Sequence, residues 1–344
     1  MKPYFPALDS LRFFASVNIV LLHLSSSSLL SYANGTFFEP IIIGPLFNTS
    51  VFFLLSGFIH SILFSKQEKI PRLKPFLKKR FLRLYPLHIT CTLIVFAIIF
   101  YRTSTLHETA YAIKTLALHI SLLWAFVPEL GHPLNQPSWA LSVFFICYAL
   151  TPAFSRFLNR QGEKNLWLLF LLLWIISAFS TAYSVAYFEE LARVFSGIHF
   201  FTGMLLGRLF LNNAIPLPKK NALYDLFLLI TVVLLYMNVR YLNPINLEIA
   251  HYIVSPVLYS SLLLFLANNK GFAVKILSVS WLRILGKVSF YTYLLHVAVI
   301  QFLHLYLDKV SHWEDNIFNR PSSTAIIMVL LYGGCVVFYL IKNK

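Results

Sequence analysis

Apolar positions run in long blocks along this chain, separated by short polar connections. Blocks long enough to cross a bilayer, at about 17 to 25 residues each, fall near 10–30, 44–64, 82–101, 139–155, 166–187, 195–213, 222–239, 250–268, 288–307 and 322–341. A further run near 112–128 is shorter and contains Lys114 and His119. Counted as a full span, it would put Arg156, Arg160 and Lys164 outside and reverse the basic loops that follow. The pattern therefore predicts an all-α polytopic membrane protein, a bundle of about ten transmembrane helices with a short re-entrant or peripheral helix near 112–128. It reads as a single integral-membrane domain over 1–344, without internal repeats, low-complexity tracts or the inverted halves of many transporters.

Composition sharpens this. Of 344 residues 58% are hydrophobic and 12% charged, where a soluble domain has about a quarter charged; the mean hydropathy is +0.72. The 33 Phe and 18 Tyr suit lipid-facing and interfacial rings. The first block contains Arg12 and His23 and lacks a small-residue cleavage site, so it is expected to stay as the first span. Cys91, Cys147 and Cys335 lie far apart inside apolar blocks and show neither a disulfide framework nor metal-site spacing. The net charge of +15 is a topology signal rather than a nucleic-acid footprint. With ten spans and both termini cytoplasmic, 22 of the basic residues fall inside and six outside. That orientation suits a multi-pass protein of a bacterial inner membrane.

Candidate chemistry begins in the first block, LDSLRFFASVNIVLLH, residues 8–23. Eleven helical steps carry Arg12 to His23 with an offset of about 20° and a rise of about 16 Å, roughly half a bilayer core. Asp9 falls within about 40° of His23 by the same count. All three are therefore expected to line one cavity, because ionisable groups facing lipid are costly. The plainer roles are a helix cap for Asp9 and an interhelical hydrogen bond for His23.

Several other stretches stand in a characteristic order. Phe52-Phe53-Leu54-Leu55-Ser56-Gly57-Phe58 precedes Arg80-x-x-Arg83-x-x-Pro86; then come Trp139-Ala140-Leu141-Ser142, Gly203 with Gly207, and Leu285-Gly286 through Ser289, Tyr293 and His296. Together with Leu8-Asp9-Ser10-Leu11-Arg12 and His23, this series resembles the membrane-bound acyltransferase type 3 family. The resemblance covers nearly the whole chain, and it implies transfer of an acyl group, most often acetyl, from cytoplasmic coenzyme A to a hydroxyl of a surface glycan such as lipopolysaccharide O-antigen. Acetyl-CoA would then be a co-substrate rather than a bound cofactor. One position departs from the family: Phe144 stands where the pattern usually has Glu. Either another carboxylate such as Glu129 substitutes, or the activity differs, down to a relative that only binds.

On that reading His23 is the expected base for a sugar hydroxyl, since imidazole titrates near neutral pH; transient acylation of His23 is the other mode. Asp9 and Arg12 would orient the donor or each other at the cytoplasmic entrance. Lys66, Lys69, Arg72, Lys74, Lys78, Lys79, Arg80 and Arg83 form a dense basic stretch suited to the donor's phosphates, or to anionic lipid headgroups. Arg12 and, within that stretch, Lys79, Arg80 and Arg83 are the expected donor contacts, the i,i+3 guanidiniums of Arg80 and Arg83 being able to converge on one anion. Trp139 and Ser142 would hold a sugar ring, with Ser56, Tyr293 and His296 in a further polar layer. A glycan-lipid or small-anion transporter using the Arg12/His23 row as a proton relay is the competing class.

Overall fold

The computed structural model describes residues 4–26, 30–42, 44, 47, 49–102, 106–127, 134–187, 193–242, 248–307 and 320–342, and among these the regular elements are helical with no strand. In chain order they are α1 (Pro6–Ser26), the short α2 (Glu39–Ile42), α3 (Thr49–Leu63), α4 (Leu73–Arg102), α5 (Leu106–Ile120), α6 (Trp139–Leu158), α7 (Glu163–Tyr187), α8 (Ile198–Leu211), α9 (Asn221–Met237), α10 (Glu248–Ala267), the short α11 (Phe272–Leu277), α12 (Ser280–Leu307) and α13 (Pro321–Lys342). Among the described residues eight helical spans are long and apolar enough to cross a membrane: α1, α4, α6, α7, α8 counted from Arg193, α9 counted to Tyr241, α12 and α13. The apolar stretches Thr49–Leu63 and Ile253–Ala267 are shorter, and with them the ten expected blocks are each helical.

Three boundaries differ from expectation for identifiable reasons. The expected second block began at 44, yet α3 starts at Thr49, because Asn18 in the middle of α1 holds the incoming chain as a loop. Its amide donates to the Ile41 and Gly44 carbonyls at 3.0 Å, and its oxygen accepts the Phe47 N–H at 2.8 Å. The helix expected from 82 begins at Leu73; thirty residues make about 45 Å, longer than a bilayer core of about 30 Å. Its first turns, with Lys74, Lys78 and Lys79, therefore extend past the apolar layer. The short helix expected near 112–128 ends at Ile120, where Leu122 adopts a φ of 58°, and Trp124–Phe126 follows as a separate turn. At 15 residues α5 spans about 22 Å and lies along α4.

Two helix pairs organise the bundle. α3 packs most extensively on α8, and α1 on α12. At both seams glycine lets backbones touch: a Cβ on Gly57 would overlap the Phe200 carbonyl, one on Gly203 the Leu54 carbonyl, and one on Gly286 the Asp9 carbonyl. Gly207 repeats the contact against Phe58. Without a hydrophobic drive between helices in lipid, such close approach supplies the packing. The outward faces of α7, α9 and α13 expose Leu168, Leu171, Leu229, Val233, Val329 and Leu330, as a lipid-facing surface would. Cys91, Cys147 and Cys335 are free and buried.

Candidate active site

α1, α3, α4, α6 and α12 together surround a cavity of about 580 Å³ that runs along α3 from Thr49 to Leu63. Arg12, Ser56, His60, Arg80, Arg83 and Lys287 line its polar side; Phe52, Leu55, Ile59, Leu141, Phe144 and Leu294 line the apolar side. No carboxylate lines it among the described residues. The wall of α3 is read at helical spacing: Phe52, Ser56, Ile59, His60 and Leu63 share one face.

Asp9 sits in the first turn of α1, where its charge suits the positive helix end. The helix begins at Pro6, so Asp9 does not occupy the capping position. It is buried and bonded from both sides: Arg12 Nη1 donates to Oδ1 at 2.6 Å and the Tyr4 hydroxyl to Oδ2 at 2.8 Å. Burial, and then the bond to Asp9, raises the Tyr4 pKa, keeping it a donor. Arg12 thus carries a carboxylate partner into the cavity wall.

Arg80 and Arg83 both line the cavity, whereas Lys79 is exposed and outside its lining. The expectation that Lys79 joins them fails on geometry, since neighbouring residues on a helix point about 100° apart. Arg80 lies over the Phe76 and Tyr148 rings at 5.3 and 5.4 Å, a cation–π clamp. Phe144 faces the cavity stacked on Phe53, ring centres 4.1 Å apart, and beside Tyr148 at 5.7 Å. An aromatic stack therefore occupies the place of the family's usual carboxylate. Glu129, the suggested substitute, lies outside the described residues.

His23 is not among the cavity's lining residues, so Asp9, Arg12 and His23 do not share this one void as expected. The groove that α1 alone would present is filled by α12, drawn against it at Gly286. What joins the two regions is a row of rings. Tyr293 lines the cavity and lies 6.1 Å from His296, which meets His23 edge-to-face at 4.9 Å. His23 Nδ1 donates to the Ile19 carbonyl at 2.8 Å, which makes Nε2 the basic nitrogen. His296 Nδ1 donates to the Thr292 carbonyl at 3.3 Å, and its buried Nε2 has no hydrogen-bond partner among the described residues.

Trp139 packs beside Phe53 at 6.0 Å, and Ser142 is buried with no hydrogen-bond partner for its hydroxyl among the described residues. Neither lines the cavity. The turn before α6 is instead pinned to α12: the Tyr293 hydroxyl donates to the Pro137 carbonyl at 2.9 Å, and the Asn135 amide to the Leu294 carbonyl at 3.2 Å. Sequence reasoning missed His60, Tyr148 and Lys287. His60 was recoverable, standing one helical turn beyond Ser56 on the same face. Tyr148 and Lys287 carried no comparable signal.

The fold and this site define a multi-pass integral membrane protein with a cation-lined cavity inside its bundle. The chain belongs to the acyltransferase 3 family, whose model, described as an acyltransferase domain, matches residues 5–340. It is similar to Acyltransferase MdmB of Streptomyces mycarofaciens, 30% identical over 165 residues, which is 47% of this chain and 42% of that relative. The match thus spans less than half of either protein. No solved structure matches the chain.

Proposed function

We propose that this protein is a membrane O-acyltransferase that moves an acyl group, acetyl in the first instance, from cytoplasmic acyl-CoA to a hydroxyl of a cell-surface glycan or glycoconjugate. The observation that carries the reading is the cavity: Arg12, Arg80, Arg83 and Lys287 beside apolar walls suit a thioester with several phosphates and an uncharged arm. Both termini lie in the cytoplasm in this reading, and the membrane is the bacterial inner one. The basic ends of α1, α4 and α12 then share the side where coenzyme A is found.

The donor enters with its phosphates on the guanidiniums and its acyl end toward Tyr293. The acceptor arrives from the far side, and as its oxygen attacks the thioester carbonyl its hydroxyl proton passes to His23 Nε2, a step for which the His296 ring standing between His23 and Tyr293 moves aside. Collapse of the tetrahedral intermediate expels the coenzyme A thiolate, which takes up the proton. Arg12, fixed by Asp9, orients the donor.

Purified protein supplied with radiolabelled acetyl-CoA should release free thiol only when acceptor is present, with loss of that release in His23→Ala. Accumulation of a substrate in proteoliposomes without coenzyme A would replace this reading by transport.

A further inference from the structure

His60 has no part in the scheme above, yet it is the most elaborately held polar side chain of the cavity. It is 4% exposed and surrounded by Phe64, Phe76, Tyr148 and Phe200, with ring centres 5.4–5.9 Å away. Its Nδ1 lies 2.7 Å from the Ser56 carbonyl. A carbonyl only accepts, so Nδ1 carries the proton and Nε2 the lone pair. Arg80 Nη2 lies 3.0 Å from that Nε2, and a guanidinium only donates. The α3 backbone therefore sets the tautomer, and the tautomer presents an acceptor to Arg80.

We propose that His60 is a positioning residue that holds the Arg80 guanidinium as an anion-binding group in the cavity, and so places the phosphates of the donor. The proposal rests on the donor reading above. Its physical core is the neutrality of the partner. Asp9 fixes Arg12 but cancels most of its charge at short range, whereas an imidazole fixes Arg80 and leaves its full positive charge for a ligand. The Phe76 and Tyr148 rings restrict the guanidinium without neutralising it either. Ordering of a flexible arginine is completed before the anion arrives, so the anion does not bear that entropy cost on binding. Arg83 and Lys287 in the same lining add charge. No carboxylate lines the cavity among the described residues, and Asp9 behind Arg12 is committed to Arg12 and Tyr4.

The test compares His60→Gln, His60→Glu and His60→Ala in the full-length protein, with binding of coenzyme A and of pyrophosphate measured in parallel. Gln and Glu are alike in size and both offer an acceptor near the Nε2 position, but only Gln is neutral. His60→Gln should keep affinity within about threefold, while His60→Ala and His60→Glu should weaken it about tenfold or more, the scale of one charge-assisted hydrogen bond. In turnover the loss should appear in KM for the donor with kcat largely kept. Adding Arg80→Ala to His60→Ala should cost little beyond Arg80→Ala alone. Equal affinity of the Gln and Glu variants overturns the proposal, and that comparison decides it even if the Ala variant does not fold. Pyrophosphate binding that depends on His60, without coenzyme A binding, would sink the donor reading and leave the positioning role standing. Failure of the wild-type protein to bind either would sink both.

Discussion

His296 presents its ring edge-to-face to His23, with centres 4.9 Å apart, and its own buried Nε2 has no hydrogen-bond partner among the described residues. The pair joins the first span to the ninth at the point where the proposed base sits. His23→Ala should lower acceptor-dependent thiol release by about 10²–10⁴-fold, the usual weight of a general base. Coenzyme A affinity, measured separately, should be nearly unchanged. The reverse pattern would move His23 from chemistry to donor binding.

Arg12 is expected to behave in the opposite way. Its guanidinium lines the cavity while tied to Asp9, so Arg12→Ala should weaken coenzyme A binding by about 10- to 100-fold. The loss should shrink as salt rises, because added ions screen the contact that remains in the wild type. A titration at two ionic strengths reads this directly.

Phe144 is packed rather than vacant. Its ring stacks on Phe53 at 4.1 Å, and Phe144→Glu would set a carboxylate against that ring. The variant should lose about 1–3 kcal/mol of stability and should not gain turnover. A clear rise in acyl transfer on restoring the family's usual residue would instead support an impaired relative. Thermal unfolding beside the thiol-release assay separates the two.

The glycine seams give a stability test with an internal control. Gly57→Ala pushes a methyl onto the Phe200 carbonyl, and the backbone shift should cost about 1–3 kcal/mol or more. Nothing lies near a Cβ on Gly333 or Gly334 of α13, where alanine should be neutral or stabilising by up to about 1 kcal/mol. Equal melting temperatures for Gly57→Ala and Gly333→Ala would remove the α3–α8 contact as an organising seam.

Orientation can be read by labelling single introduced cysteines, since the three native ones are buried. Lys78→Cys should react with a membrane-impermeant thiol reagent only from the cytoplasmic face, and Arg320→Cys only from outside. Labelling of Lys78→Cys from outside would invert the topology and put the basic start of α4 on the side without coenzyme A.

What the linear chain settled was the class of structure. A hydrocarbon layer demands long apolar helices whose backbone bonds close internally, so the blocks of Leu, Ile, Val and Phe announced nearly every helix. Arg12 was visible as a cavity residue because costly polar groups must turn inward, Arg80 and Arg83 from their i,i+3 spacing in a basic stretch, and Ser56 and Tyr293 through the family resemblance. Helical phase along α1 also put Arg12 and His23 on one side, but phase describes a single helix in isolation. Whether the space beside that face stays open depends on what packs there. Only the folded bundle decides that: Gly286 brings α12 onto α1, His296 stands against His23, and His23 is absent from the cavity's lining. The same holds for His60 and Arg80, twenty residues apart on different helices. Their bond comes from the α3–α4 juxtaposition, a relation between surfaces that no local pattern encodes.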